Sequence, residues 1–178
     1  MGNFPPESQY WNCCKVKKGY SGTAILLTES AAQSMLKVSY DFGEAGAHDQ
    51  EGRTVTAHFK TFVLVCTYVP NSGVQGLNRL KYRTEEWDRD LQKYLKHLET
   101  STGKPVIWCG DLNVAHQNID IFGASKAKEK NAGFTPEEKA SFGGFLKEQE
   151  FVDTFRHLNP GATKYSYWNL RSGARAKD

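Results

Sequence analysis

Hydrophobic and polar positions change rhythm several times along the chain, and each change marks an element. From Gly22 the sequence reads as strands. Thr23–Leu27, Lys37–Tyr40, Thr54–Phe59 and Phe62–Tyr68 are rich in Val, Ile, Thr and aromatic residues. Thr54–Phe59 alternates between polar and apolar, which predicts a strand with one wet face. The run Phe62-Val63-Leu64-Val65-Cys66 does not alternate and predicts a strand buried on both faces. The period then lengthens: Leu80, Trp87, Leu91, Tyr94, Leu95 and Leu98 recur at helical spacing among Glu85, Asp88, Asp90 and Lys93. That pattern predicts an amphipathic helix packed on a sheet, ended by Gly103. Pro105–Cys109 predicts another buried strand. After a polar stretch over 117–134 with Lys126, Lys128 and Lys130, a further helix starts sharply. Thr135 is its N-cap, Pro136 its first helical residue and Glu138 the partner in a capping box. Phe142, Phe145 and Leu146 supply its apolar face. Strands in succession with helices between them favour an α+β layered sandwich over a pure βαβ fold.

Composition narrows this picture. With 178 residues, 39% hydrophobic and 24% charged, the chain suits one domain with a packed core rather than a disordered segment. No apolar run approaches the ~20 residues of a membrane span, and Met1–Pro6 lacks the charged and apolar regions of a signal peptide. A soluble intracellular protein is expected. Lys and Arg number 23 against 20 Asp and Glu, a net charge of +3 that is compatible with a nucleic-acid partner without indicating one. The cysteines show no zinc-ligand spacing. Cys13 and Cys14 are adjacent, and Cys66 and Cys109 lie in apolar runs where buried thiols in a reducing compartment are expected.

Three segments could carry chemistry. In Trp108-Cys109-Gly110-Asp111-Leu112-Asn113 a strand runs into glycine, a carboxylate and an amide. If the extended conformation persists, Asp111 and Asn113 project on one side. A carboxylate there can accept a proton from water while the amide donates to a developing oxyanion. The competing reading is an Asx-turn that closes a strand without catalysis. Tyr68-Val69-Pro70-Asn71 ends the other apolar strand, and Tyr68 and Asn71 could donate to phosphate oxygens. A tyrosine capping a core strand above a proline turn explains that segment equally well. Neighbouring strands would bring the two ends together. Tyr165-Ser166-Tyr167-Trp168, followed by Arg171, Arg175 and Lys177, combines aromatic and basic residues as a nucleic-acid surface does. Core aromatics with a solvated basic tail are the alternative. His116 follows the Asp-x-Asn turn and could support it; His48, His58, His97 and His157 show no ligand spacing.

The combination is more specific than its parts. Gly19-Tyr20-Ser21-Gly22, Asp49-Gln50-Glu51-Gly52-Arg53 and Tyr68-Val69-Pro70-Asn71 occur in order. Gly110-Asp111-Leu112-Asn113-Val114-Ala115-His116, Asn131-Ala132-Gly133-Phe134-Thr135-Pro136, Asp153-Thr154-Phe155-Arg156-His157 and Tyr165-Ser166-Tyr167-Trp168 follow. This series resembles the exonuclease III family of apurinic/apyrimidinic endonucleases, in its animal-type subgroup, from about Tyr10 to Asp178.

The resemblance implies a four-layered α/β sandwich of the endonuclease/exonuclease/phosphatase superfamily. It also implies hydrolysis of double-stranded DNA immediately 5′ to an abasic site, dependent on magnesium with manganese as a substitute. A nuclear location, no membrane association and no stable oligomer are expected with it. Carried over by position, Asp111 is the catalytic carboxylate that deprotonates water. Asn113 stabilises charge, both residues belong to the metal site, and Tyr68 contacts the scissile phosphate. Asn71, Asn131, Tyr20, Arg53 and Arg79 fall on DNA-contacting positions, and Tyr167 and Trp168 on the pocket for the extrahelical sugar. The loop at Val74-Gln75-Gly76 is one residue longer than in relatives, and Tyr167 stands where phenylalanine is frequent. The family's Gln-Glu-Thr and Ser-Asp-His motifs do not occur in this sequence. The chain is therefore expected to be one partial domain over 1–178, inactive and poorly soluble by itself. A non-catalytic short form and a phosphoesterase acting on another phosphate ester are the competing readings.

Overall fold

The computed structural model describes residues 4–43, 46–73, 76–168 and 175, and the chain divides into two compact units, Met1–Asn113 and Val114–Asp178. In the first unit β1 (Gln9–Asn12) pairs antiparallel with β2 (Thr23–Leu26). A short helix α1 (Glu29–Ala32), capped by the Thr28 hydroxyl, leads into β3 (Met35–Tyr40). β3, β4 (Thr54–Phe59), β5 (Val63–Tyr68) and β6 (Val106–Asp111) form a four-stranded sheet in that order. The first three are antiparallel neighbours and β6 runs parallel to β5. A parallel neighbour needs a crossover, and α2 (Asp88–Thr102) supplies it after a π-type turn over Tyr82–Trp87.

One face of the sheet packs Val55, Ala57 and Phe59 on Ile25 and Leu27. On α2, Leu91, Leu95 and Leu98 are buried, and the Tyr94 hydroxyl donates to Thr56 Oγ1 at 2.9 Å. Helix, sheet and two-stranded ribbon thus form the layers of an α+β sandwich, as expected. Gly103 ends α2 at φ 63°, where its N–H donates to the Glu99 carbonyl at 2.9 Å. A left-handed residue is what a helix end of this kind requires.

Two strands exchange the burial their patterns predict. β4 alternates in sequence yet is buried at all six positions, because it lies inside the sheet with the apolar cluster on one face and Tyr94 on the other. Its two threonines are buried rather than left wet, and Thr56 Oγ1 accepts the bond from Tyr94. β5 reads as apolar throughout, yet Val63, Val65 and Thr67 are buried while Leu64, Cys66 and Tyr68 are only partly covered. β6 shares that more open face, and Ile107 on it is 47% exposed. Cys66 and Cys109 are register partners across β5 and β6 and are half-buried free thiols, not fully buried ones. The hydrogen bond from the Cys109 thiol holds the Cys66 thiol below its usual range, against the opposing effect of burial.

The second unit contains α3 (Pro136–Glu148) and α4 (Thr154–Leu158), and no strand among its described residues. The predicted capping box is present: Thr135 Oγ1 accepts from the Glu138 N–H at 3.2 Å, and Glu138 Oε2 accepts from the Thr135 N–H at 3.0 Å. Phe134 and Phe145 are buried, and Asp153 caps α4 by accepting from the Arg156 N–H at 2.9 Å. Among the described residues no helix is long and apolar enough to cross a membrane.

Candidate active site

The last rung of the parallel pair β5–β6 joins Tyr68 to Asp111. Register partners on neighbouring strands point to one face, so the phenol and the carboxylate share a sheet edge. Gly110 makes this rung possible. It sits at φ 119°, and a Cβ built on it would lie 2.0 Å from the Thr67 carbonyl oxygen. No other residue allows the two backbones to approach there.

Beyond Asp111 the chain turns. Asn113 adopts a left-handed φ of 47°, and its N–H donates to Asp111 Oδ1 at 3.0 Å. The extended conformation therefore does not persist to Asn113, and strand alternation is not what places the two side chains. An Asx-turn brings them together instead, so the turn and the candidate site are one structure rather than competing readings. Asn113 Nδ2 donates to the Val69 carbonyl at 2.9 Å, and Asn113 Oδ1 accepts from Asn71 Nδ2 at 3.1 Å. Asn71 Oδ1 in turn accepts from the Gly73 N–H at 2.9 Å. The Val69 N–H donates to the Asp111 carbonyl at 2.9 Å, which closes the pairing of the two strand ends.

Arg83 reaches the same turn from below. Its guanidinium donates to the Leu112 carbonyl at 3.2 and 3.4 Å and, through Nε, to Asp88 Oδ1 at 2.8 Å. Both side chains are buried. The sequence reading missed Arg83, because a charged residue on a helical stripe reads as solvated surface. A basic residue five positions before an acid on a helix that also carries Trp87 was the available signal.

Arg53 is buried rather than facing outward. Its Nε donates to Glu51 Oε2 at 2.6 Å, Nη1 to the Tyr68 carbonyl at 2.9 Å and Nη2 to the Tyr20 hydroxyl at 3.1 Å. Arg79 also donates to the Tyr20 hydroxyl, at 3.0 Å, and to both Glu51 oxygens at 3.2 Å. Burial pushes the Glu51 carboxyl up, but hydrogen bonds and charge from Arg53 and Arg79 outweigh it and hold the group below the usual carboxylate range. Tyr20, Arg53 and Arg79 thus form one cluster around Glu51.

In the second unit Asn131 is exposed. Its N–H donates to the Lys128 carbonyl at 2.9 Å and its carbonyl accepts from the Phe134 N–H at 3.1 Å, leaving the backbone fixed at the mouth of α3. Tyr167 is 79% exposed. Trp168 is half-buried, and the Arg175 guanidinium lies 5.1 Å from the centre of its ring. His116 stands edge-on to Phe142 at 5.1 Å. Val74, Gln75, Arg171 and Lys177 lie outside the described residues.

The donor chemistry suits a hard cation in kind and only partly in number. Asp111 and Asn113 present oxygens, the ligands magnesium prefers, but its shell takes about six of them. Among the described residues no group of three or more His, Cys, Asp or Glu could hold a metal.

The chain is similar to known nucleases. The chain is 45% identical over 163 residues to a DNA-(apurinic or apyrimidinic site) endonuclease of Dictyostelium discoideum, covering 91% of this chain and 43% of that protein. It is 46% identical over 170 residues to an exodeoxyribonuclease of Bacillus subtilis (strain 168), covering 95% of this chain and 63% of that one. The chain therefore spans about half the length of these curated relatives. Among solved structures, an AP endonuclease from Leishmania major superposes with a TM-score of 0.82 at 34% identity, over 96% of this chain and 59% of that one. A model of the Endonuclease/Exonuclease/phosphatase family matches residues 2–175. A match that runs over nearly the whole of this chain shows that it belongs to the Endonuclease/Exonuclease/phosphatase family.

Proposed function

We propose that this chain supplies part of the active site of a DNA repair endonuclease that hydrolyses the backbone 5′ to abasic sites. The rung that sets Tyr68 beside Asp111, with Asn113 fixed by Val69 and Asn71, carries the reading. Asp111 is exposed at the strand end, where its carboxylate orients a water and takes its proton. Asn113 is held rigidly enough to steady the phosphoryl oxygens, and the Tyr68 hydroxyl donates to the scissile phosphate. Asp111 and Asn113 would hold a magnesium ion, which when bound supplies positive charge against the phosphate. Asn71, Asn131, Tyr20 and Arg79 serve the DNA strand, and Tyr167 and Trp168 the bare sugar, which a small apolar pocket admits while excluding a nucleotide.

The test uses the full-length protein and an end-labelled duplex with one abasic site. Cleavage 5′ to the site, abolished by EDTA, is expected. Asp111→Asn lowers the rate by about 10³-fold or more without loss of folding, because the amide oxygen still accepts from the Asn113 N–H. Undiminished cleavage by that variant removes Asp111 from its role, and absence of cleavage by the parent protein removes the function.

A further inference from the structure

Arg53, expected to contact DNA, is buried against Tyr68. Arg53 touches Tyr68 in three ways. The Tyr68 N–H donates to the Arg53 carbonyl at 2.9 Å, Arg53 Nη1 donates back to the Tyr68 carbonyl at 2.9 Å, and the guanidinium carbon lies 4.8 Å from the centre of the Tyr68 ring. Nε donates to Glu51 at 2.6 Å and Nη2 to the Tyr20 hydroxyl at 3.1 Å. The residue is 3% exposed. At that burial the guanidinium cannot meet a phosphate without turning out of the site, which would break its bonds to the Tyr68 carbonyl and Glu51.

We infer that Arg53 is a positioning residue for Tyr68: its planar fork, oriented by Glu51, fixes the backbone and the ring face of the phenol. The inference rests on the reading of Tyr68 as a phosphate contact. Arg53 follows the Gly52 turn at the entrance to β4, and Thr54 pairs with Thr67, so the guanidinium is carried on the strand that flanks β5. Its aim therefore depends on the same ladder that places Tyr68. Glu51 is the anchor. It bonds Arg53 and Arg79 together, and both arginines meet at the Tyr20 hydroxyl, so the three predicted DNA-contacting residues are mechanically joined behind the phenol. Planarity matters here, because a lysine ammonium keeps the charge beside Glu51 but cannot serve the carboxylate, the Tyr68 carbonyl and the Tyr20 hydroxyl in three fixed directions.

Full-length protein carrying Arg53→Lys and, separately, Arg53→Met is compared with the parent. The readouts are thermal melting, DNA affinity in EDTA, kcat and KM on abasic duplex, and the NMR resonances of 13C-labelled tyrosine rings without metal or DNA. Arg53→Lys is expected to fold and to bind DNA within about twofold of the parent. Its kcat falls about 10- to 100-fold with little change in KM, the signature of a misplaced group, and the Tyr68 ring resonance moves. If Arg53→Met fails to fold, the lysine variant alone decides.

A direct phosphate contact predicts the opposite set: weaker DNA binding, a shallower salt dependence and an unmoved Tyr68 resonance. That set overturns the inference, as does full kcat in Arg53→Lys. The tyrosine resonance is read without turnover, so it tests the hold on Tyr68 even if abasic cleavage is absent. A moved resonance without cleavage would refute the function alone.

Discussion

In the first unit the candidate groups hang from strand ends and are tied down. Asn113 is held by Val69 and Asn71, the turn backbone by Arg83, and Tyr68 by Arg53. In the second unit Asn131 and Tyr167 stand on irregular chain with exposed side chains. On the proposed function the difference follows from the work each set would do. Chemistry on a phosphate requires reacting atoms held within fractions of an ångström, whereas a surface that meets a flexible strand can settle its side chains on contact. Buried polar bonds therefore concentrate behind Asp111 and Tyr68, and substitutions in the two units should fail in different ways.

The largest effect is expected at Arg83. Arg83→Met leaves Asp88 in the interior without its guanidinium and costs about 3–5 kcal/mol of stability, read as a lower urea midpoint. A variant as stable as the parent would end the contrast between the units. Gly110→Ala comes next. Its methyl group meets the Thr67 carbonyl in a backbone conformation that disfavours it, so a loss of about 2–4 kcal/mol is expected. Tolerance of alanine there would mean the rung is not tightly paired.

In the second unit Thr135→Ala removes one half of the capping box and costs about 1–2 kcal/mol, measurable by thermal melting. Acid probes the Glu51 cluster. Its carboxyl is held below the ordinary value in the folded chain, so its contribution is present above the unfolded-state value and fades as pH falls through the lowered one. Glu51→Gln should therefore flatten the acid limb of the stability profile, and an unchanged limb would show that the cluster stores nothing. The smallest stability effect belongs to Tyr167→Ala, within about 0.5 kcal/mol. The same change should weaken abasic-DNA binding by the full-length protein, and equal affinity would remove Tyr167 from the sugar pocket.

Legibility in the sequence followed the range of the interactions. The capping box at Thr135, the stop at Gly103 and the apolar stripe of Leu91, Leu95 and Leu98 were readable because their partners lie within a few residues. The burial of β4 and β5 was not. What covers a strand is decided by neighbours such as Tyr94 and Ile25, which lie far along the chain. The site was half readable. Asp111, Asn113 and Tyr68 stood out as polar groups at the ends of apolar strands, while Arg83 resembled ordinary surface charge and Arg53, expected to contact DNA, is buried.

The sequence by itself determined which segments become strands and helices, where two helices begin or stop, and which polar residues end the apolar strands. Each of those outcomes depends on local sterics, local hydrogen bonds or a periodicity that survives in one dimension. Only the tertiary structure decided that Tyr68 meets Asp111 across a parallel rung, that Asn113 turns left-handed to close on its neighbour, and that Arg53 stands behind Tyr68. Those depend on strand order and register, and on the cost of leaving a buried charge without partners.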